Sequence, residues 1–199
     1  RTVDASHLRR KIVRHTGARA DDDEVTVWDP RNEARRFEGV QYHPARLGRR
    51  VGARLVAASD SRGAIVNDDG LPVDELIAHK RNAKPLIAFP HGKAIRSEAL
   101  VAVNCDIWIP AARPDVLNAS NVVDLKARLV LQGANIPATE DAEAWMHSNN
   151  VLNVPDFIAN AGGVICAAVE YHGGTEAQAM ASIEERIRRN TAEVLNQAR

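Results

Sequence analysis

Two short polar turns carry the clearest chemical signal in this sequence of 199 residues. They are Gln132-Gly133-Ala134-Asn135 and Asn160-Ala161-Gly162-Gly163. The first follows an apolar run at 128–131, and the second comes shortly after an apolar run at 151–154. In open α/β sheets, ligands bind beyond the carboxyl ends of the strands. If both runs are strands of one sheet, the turns lie where such a fold has its site.

The elements around these turns form one unit. Each apolar run is short and bounded by turn-forming residues, which predicts a buried strand. Residues 138–147 lie between them and predict a helix, with Thr139 as its N-cap and acidic residues in its first turn. Strand, helix and strand make a βαβ unit, and such units build parallel sheets.

The rest of the chain alternates in the same way. The pattern predicts further strands at residues 24–28, 54–58, 86–89 and 106–110. It predicts helices at residues 6–13, around 45–51, and at 71–80, 97–100, 118–126 and 175–199. Five or six short strands alternating with helices indicate an α/β fold with a doubly wound parallel sheet.

Composition excludes several function classes. Lys plus Arg is 26 and Asp plus Glu is 26, so the balance gives no basic surface for nucleic acid or anionic membranes. The apolar runs are strand-sized, and we expect neither a membrane segment nor a signal peptide. Cys105 and Cys166 lie in apolar contexts, which indicates buried, reduced thiols and a cytoplasmic protein, and no Cys/His spacing predicts a metal site. Because the first residue is Arg rather than Met, we expect a fragment or a processed form.

Three runs resemble one known family. They are RLVAASDSRGAIVNDDGL from Arg54, DIWIPAA from Asp106, and the central stretch with QGAN at Gln132 and IANAGGV at Ile158. Together and in this order they resemble the cofactor domain of the glutamate/leucine/phenylalanine/valine dehydrogenases, most of all the glutamate dehydrogenase members. The resemblance implies a Rossmann-type domain that binds NAD or NADP. In the family, hydride passes between the nicotinamide and the alpha carbon of an amino acid, which gives a 2-oxo acid and ammonia.

The resemblance also implies residue roles. A carboxylate at Asp60, with Ser61 beside it, suits hydrogen bonds from a ribose diol. Asn135 and Asn160 each carry a donor and an acceptor, which suits the nicotinamide carboxamide and its ribose. Small side chains at Ala111 and Ala112 allow the backbone to approach the dinucleotide. Arg62 lies close enough in sequence to Asp60 to leave the choice between NAD and NADP open. We also expect Ala167, on the helix that faces substrate in the family, to lie where other members often carry a serine.

Simpler interpretations exist for these residues. Asp60 fits an ordinary turn, Asn135 fits an Asx turn, and Asn160 fits the N-cap of a helix that begins at Gly162. His91 and His172 are loop histidines that a different Rossmann enzyme would need for its chemistry, although such histidines are more often surface or packing residues.

The first fifty residues depart from the family. No G-x-G-x-x-G turn is present, and its expected position near 36–41 carries Arg36 and Glu38, where Glu38 is unfavourable beside a diphosphate. We therefore predict a divergent segment at residues 1–50, either unrelated through a shifted reading frame or a changed loop that uses arginines on phosphate. Residues 51–199 form the predicted NAD(P)-binding domain, with the N-terminal strand–helix part of the Rossmann fold degenerate or missing. The family's catalytic Lys and Asp have no counterpart at 1–50, so no catalytic residue is assigned.

Two functional hypotheses follow. The first is the cofactor-binding portion of an amino-acid dehydrogenase that acts on glutamate or a similar amino acid, a homo-oligomer in its full-length family form, with small-molecule substrates and neither nucleic-acid nor membrane partners. The alternative is a non-catalytic remnant of that domain that no longer binds dinucleotide.

Overall fold

The computed structural model describes residues 11–15, by their backbone alone, and residues 53–197. Seven strands in these residues form one sheet: β1 (Lys11–His15), β2 (Arg54–Asp60), β3 (Gly63–Val66), β4 (Lys93–Ile95), β5 (Ile107–Pro110), β6 (Leu129–Leu131) and β7 (Leu152–Val154). Their order across the sheet is β4-β3-β2-β1-β5-β6-β7. The strands predicted at 54–58, 106–110, 128–131 and 151–154 are confirmed.

Five α-helices accompany these strands in the described part of the chain: α1 (Val73–Arg81), α2 (Glu140–Ser148), α3 (Asp156–Ala159), α4 (Gly162–Tyr171) and α5 (Glu176–Gln197). Short 3-10 helices span Leu86–Ala88, Ser97–Leu100 and Val122–Asp124. The helices predicted at 71–80, 97–100 and 138–147 are confirmed, and the helix predicted at 175–199 is confirmed as far as Gln197, the last described residue. Thr139 caps α2 as predicted, because its side chain accepts a hydrogen bond from the Ala142 amide.

Six of these strands run in the same direction, and β3 runs in the opposite one. The pairs β1–β2, β1–β5, β5–β6 and β6–β7 are parallel, whereas β2–β3 and β3–β4 are antiparallel. The predicted α/β class with a Rossmann-type doubly wound sheet is confirmed. The antiparallel edge was not predicted, because β3 follows β2 through a two-residue turn that we interpreted as the end of a strand.

Apolar side chains cover both faces of the sheet, as the parallel arrangement requires. On one face, Val56, Trp108 and Val130 are fully buried in a cluster that includes Met146 of α2. On the other face, Ile65 packs with the apolar side of α1 and with Leu86 and Phe89. The sheet is therefore fixed between two layers, and its strand ends are held in place.

The strand predicted at 86–89 is wrong. Residues Leu86–Ala88 form a 3-10 helix, and the amides of Ala88 and Phe89 donate to the carbonyls of Pro85 and Leu86. The Leu86 amide donates to the carboxylate of Asp60 and not to a backbone carbonyl of a neighbouring strand. The apolar run is buried by turning Leu86 and Phe89 toward the core beneath α1, which an extended strand would not do.

The helix predicted at 6–13 is also wrong where the structure describes it. Residues Lys11–His15 form β1, in the centre of the sheet between β2 and β5. Two neighbouring strands offer backbone partners along the whole segment, and this tertiary pairing overrides the weak local helix pattern. Residues 6–10, the strand predicted at 24–28, the helix predicted around 45–51 and the expected phosphate loop lie outside the described residues.

The helix predicted at 118–126 shrinks to the 3-10 turn Val122–Asp124. Asparagine side chains form hydrogen bonds with backbone groups in this segment. Asn121 accepts from the Asn118 amide at 2.9 Å and donates to the Val116 carbonyl at 2.8 Å. Such local side-chain bonds compete with helical ones.

Candidate dinucleotide site

The carboxyl ends of the parallel strands meet at one edge of the sheet. β2 ends at Asp60, β5 at Pro110, β6 at Leu131 and β7 at Val154. The predicted cofactor-binding residues lie at or after these strand ends: Asp60 ends β2, and Ser61, Ala111, Ala112, Asn135 and Asn160 lie in the segments that follow β2, β5, β6 and α3. All of these segments lie at the same edge of the sheet.

Asn135 and Asn160 are in direct contact. The side-chain amide of Asn160 donates to Oδ1 of Asn135 at 2.7 Å, across 25 positions of sequence. Asn160 is the C-cap of α3, and α4 begins after Ala161 without a side-chain cap. The simpler interpretation of Asn160 as the N-cap of the following helix is therefore wrong.

The side chain of Gln132 holds the start of the loop after β6 in place. Its side chain is buried, and its Nε2 donates to Glu143 Oε1 at 2.6 Å and to Asn153 Oδ1 at 3.2 Å. Its Oε1 accepts from the Asp156 amide at 3.2 Å. A buried amide with all these partners ties β6, β7, α2 and α3 into one polar network.

Asp156 also holds the loop after β6 in place. Its Oδ2 accepts from the Ile136 amide at 2.8 Å, and its Oδ1 accepts from the Phe157 amide at 2.7 Å. Ile136 has a positive φ of 47°, which is unusual for a β-branched residue. The Asp156 bond supports this strained position directly beside Asn135.

The loops after β5 and β6 approach each other closely. The amides of Gly133 and Ala134 both donate to the Pro110 carbonyl, at 3.0 and 2.9 Å. A Cβ at position 133 would lie 3.3 Å from both Ala111 Cβ and Ile109 Cγ2. Small residues therefore allow the loops after β5 and β6 to pack against each other at the strand ends.

Asp60 is held more tightly than the sequence indicated. Its Oδ2 accepts from Lys80 Nζ at 2.8 Å and from the Leu86 amide at 2.9 Å, and its Oδ1 accepts from the Arg62 amide at 2.9 Å. The Lys80 and Asp60 side chains are only 9% and 6% exposed. Burial by itself raises the pKa of Asp60, but the bonds from Lys80, Leu86 and Arg62 outweigh it, so the pKa lies below its usual value.

Ser61 and Ala167 lie in accessible positions. Ser61 is exposed in the turn after β2, Ala111 and Ala112 are half-buried after β5, and Ala167 is exposed on α4. Beside Ala167, burial and the carboxylates of Glu170 and Glu176 raise the pKa of the Cys166 thiol. Cys105 and Cys166 are both buried, as predicted, and neither is in a disulfide.

Three residues that organise this edge are not predicted from the sequence: Lys80, Asp156 and Gln132 as an anchor. Lys80 lies twenty positions beyond Asp60, in the last turn of α1. Basic residues are common in the last turn of a helix because they suit its dipole, so the sequence gives no reason to pair Lys80 with Asp60. Asp156 follows a proline directly after β7, a spacing that signals the start of a helix. Polar residues next to buried strand ends were the available signal for Gln132.

The described residues contain no group of three or more His, Cys, Asp or Glu side chains arranged to hold a metal ion. Every helix in 53–197 is too short or too polar to cross a bilayer.

Comparisons with known proteins point to one family. A sequence model of the Glutamate/Leucine/Phenylalanine/Valine dehydrogenase family matches residues 40–199. Glutamate dehydrogenase of Thermotoga maritima is 37% identical over 131 residues, which are 66% of this chain and 32% of that protein. NADP-specific glutamate dehydrogenase of Saccharolobus shibatae is 35% identical over 135 residues, which are 68% of this chain and 32% of that protein.

A solved structure shares the fold. The hetero-hexameric glutamate dehydrogenase of Thermus thermophilus, in its leucine-bound form, superposes with a TM-score of 0.66 at 19% identity, over 91% of this chain and 39% of that one. This chain spans about a third of the length of the curated relatives it matches. With a family match that extends over residues 40–199, the chain belongs to the Glutamate/Leucine/Phenylalanine/Valine dehydrogenase family.

Proposed function

We propose that this chain is the NAD(P)-binding portion of an amino-acid dehydrogenase. The reaction is the oxidative deamination of glutamate or a similar amino acid to the 2-oxo acid and ammonia, and the bound dinucleotide supplies the hydride acceptor. This chain's own residues bind and orient that dinucleotide. We assign no catalytic residue to it.

The observation that carries the proposal is the hydrogen bond between Asn160 and Asn135. The bond uses the Oδ1 of Asn135 and one N–H of Asn160, and the remaining amide groups include both donors and acceptors. A nicotinamide carboxamide and its ribose hydroxyls need that mixture. Asn135 is exposed and Asn160 half-buried, so a ligand can reach the pair.

The surrounding residues fit a dinucleotide along the same edge. Ala111 and Ala112, both half-buried, would lie under its centre, because their small side chains allow a close approach. Ser61 offers a hydroxyl at the end of β2 for a ribose. The oxygens of Asp60 already accept three hydrogen bonds, so we propose that Asp60 acts by holding this turn in shape.

The remaining expectations are proposals for the whole protein. Ala167, exposed on α4, would face the amino-acid substrate. Residues 51–199, joined by β1 from the divergent segment at residues 1–50, would form the dinucleotide-binding domain, and the full-length protein would be a homo-oligomer. Two buried free thiols support a reducing compartment such as the cytoplasm.

Isothermal titration of the chain with NAD and with NADP tests the proposal. We expect saturable binding of at least one dinucleotide. Asn160→Ala should weaken binding about fivefold, since it removes the hydrogen bonds of one neutral amide, worth about 1 kcal/mol. Asn104→Ala is the matched control, because Asn104 is an exposed asparagine before β5, at the opposite edge of the sheet.

Lack of binding by a folded chain would contradict the proposal and favour the non-catalytic remnant. Equal losses in Asn160→Ala and Asn104→Ala would show that the asparagine pair is not the site.

A further inference from the structure

Two residues with a strained backbone lie beside the asparagine pair. In residues 53–197, four residues other than glycine have a positive φ: Ala83, Asp115, Ile136 and Asn150. Ala83 and Asn150 directly follow the C-caps of α1 and α2, where a left-handed residue is a common way to end a helix. Asp115, at φ 55°, and Ile136, at φ 47°, lie in the loops after β5 and β6, and neither directly follows a helix.

Both backbone groups of Ile136 are held by hydrogen bonds. Its amide donates to Asp156 Oδ2 at 2.8 Å, and its carbonyl accepts from the Asp115 amide at 3.0 Å. A β-branched residue is disfavoured in this region of φ, so the loop keeps this shape only where its surroundings fix it. Ile136 directly follows Asn135, and its conformation therefore sets how the chain leaves Asn135.

Asp156 contacts the backbone next to one asparagine and the backbone of the other. Its carboxylate accepts from Ile136, which follows Asn135, and its carbonyl accepts from the Asn160 amide at 2.7 Å. The Asp156 amide in turn donates to Gln132 Oε1 at 3.2 Å. Asp156 thus connects the two segments across which the Asn160 side chain donates to Asn135.

The carboxylate of Asp156 acts on the loop. Each of its oxygens already accepts from a backbone amide, that of Ile136 or that of Phe157. Phe157 is the next residue along the chain, so only the Ile136 bond reaches the loop after β6. A loop that is held in its binding conformation before a ligand arrives loses less freedom on binding, and this raises affinity.

We propose that Asp156 is a positioning residue for the nicotinamide end of the dinucleotide: its carboxylate holds Ile136 in the left-handed conformation that presents Asn135 to Asn160. The inference rests on the proposed dinucleotide-binding function and adds to it a residue that acts through Asn135 and does not touch the ligand.

Titration of Asp156 variants with two ligands tests the inference. One ligand is the dinucleotide that the chain binds more tightly, NAD or NADP. The other is its adenosine half, ADP for NAD and 2′-phospho-ADP for NADP, which lacks the nicotinamide and its ribose. If Asp156→Ala leaves the loop in the binding conformation about a tenth of the time, its affinity for the dinucleotide falls about tenfold.

The adenosine half does not reach Asn135, so Asp156→Ala should bind it within about twofold of wild type. Asp156→Asn should lose about threefold in dinucleotide affinity, because its amide oxygen can still accept from Ile136. Asp69→Ala is the matched control, since Asp69 is an exposed aspartate in the turn after β3, which runs opposite to β2 and ends at the other edge of the sheet. Neither affinity should change in that variant.

A double variant separates positioning from a general structural role. In an Asn135→Ala background, Asp156→Ala should weaken dinucleotide binding by less than about twofold, because the residue through which Asp156 acts is already gone. A general structural role would give the same loss in both backgrounds. Melting temperatures show which variants are folded, and Asp156→Asn carries the same comparison if Asp156→Ala is not.

The outcomes separate the two proposals. Unchanged dinucleotide affinity in a folded Asp156 variant, equal losses for the dinucleotide and its adenosine half, or additive losses in the double variant would overturn the inference and leave the proposed function standing. Binding of neither dinucleotide by the wild-type chain would overturn both.

Discussion

Asp60 joins three separate parts of the chain. Its carboxylate accepts from Lys80 on α1, from the Leu86 amide and from the Arg62 amide in the turn after β2. The ion pair is nearly inaccessible to water. Removing one member of such a pair leaves an uncompensated buried charge, which costs much more than the net value of the pair.

Asp60→Asn should therefore destabilise the protein by about 3 kcal/mol at neutral pH. The folded-state pKa of Asp60 lies below its usual value, so the unfolded chain takes up the proton first as the pH falls. The stabilisation by the carboxylate is fully present above the unfolded-state pKa and is lost as the pH falls through the folded-state pKa. Urea unfolding of wild type and Asp60→Asn over a pH series measures this.

The gap in unfolding free energy between the two proteins should be constant near neutrality and narrow in acid below about pH 4. Asp68→Asn is a matched control because Asp68 is an exposed aspartate in a turn, and its effect should stay within about 0.5 kcal/mol. A gap that widens in acid would contradict the described bonding of Asp60.

For single residues, the sequence predicts the place in the fold better than it predicts the hydrogen-bond partners. Asn135 and Asn160 are predicted after two apolar strands, and the structure places them after β6 and, through the short helix α3, after β7. The partner of Asp60 was not predictable, because a lysine one helix away has no fixed spacing from it. Gln132 is predicted to lie in a polar turn, but its burial depends on α2 and β7, which enclose it.

The hairpin of β2 and β3 depends on one glycine. Gly63 has φ +146°, and a Cβ there would lie 2.6 Å from Ile87 Cγ2. Both the backbone conformation and the contact exclude a side chain. The turn that carries Ser61 and Arg62 is shaped by this close approach.

Gly63→Ala should lower the free energy of unfolding by about 2–3 kcal/mol, because it adds backbone strain and a steric clash. Gly173→Ala is the matched comparison, since Gly173 has φ +76° with no other atom within 4 Å of an added Cβ. That variant should cost about 1 kcal/mol, from backbone strain alone. Equal losses by chemical denaturation would contradict the described contact with Ile87.

Elements with strong local signals were predicted well. β2, β5, β6 and β7 are short apolar runs between turns, and α2 carries its own cap at Thr139. Elements that tertiary pairing creates were missed. β1 takes its conformation from two neighbouring strands, and the Leu86–Ala88 turn takes its conformation from Asp60 and the core.

The whole sheet explains why distant residues form one site. Its order places β2, β1, β5, β6 and β7 side by side with the same direction, so their following loops share one edge. Beyond β2, β3 runs in the opposite direction and β4 runs in the same direction as β2, so Arg96 after β4 lines one cleft with Ser61 after β2. This arrangement predicts one elongated ligand that reaches from Ser61 to Asn160.

Amide hydrogen exchange of the chain with and without saturating NADP tests this claim most directly. We predict slower exchange on binding in residues 61–63, 111–113, 133–136 and 160–163, which follow β2, β5, β6 and β7. Residues 67–70 and 149–151, turns away from these strand ends, should exchange at the same rate in both samples. Protection confined to 67–70 and 149–151, or absent from all six segments at saturation, would contradict a dinucleotide site at the carboxyl edge of the sheet.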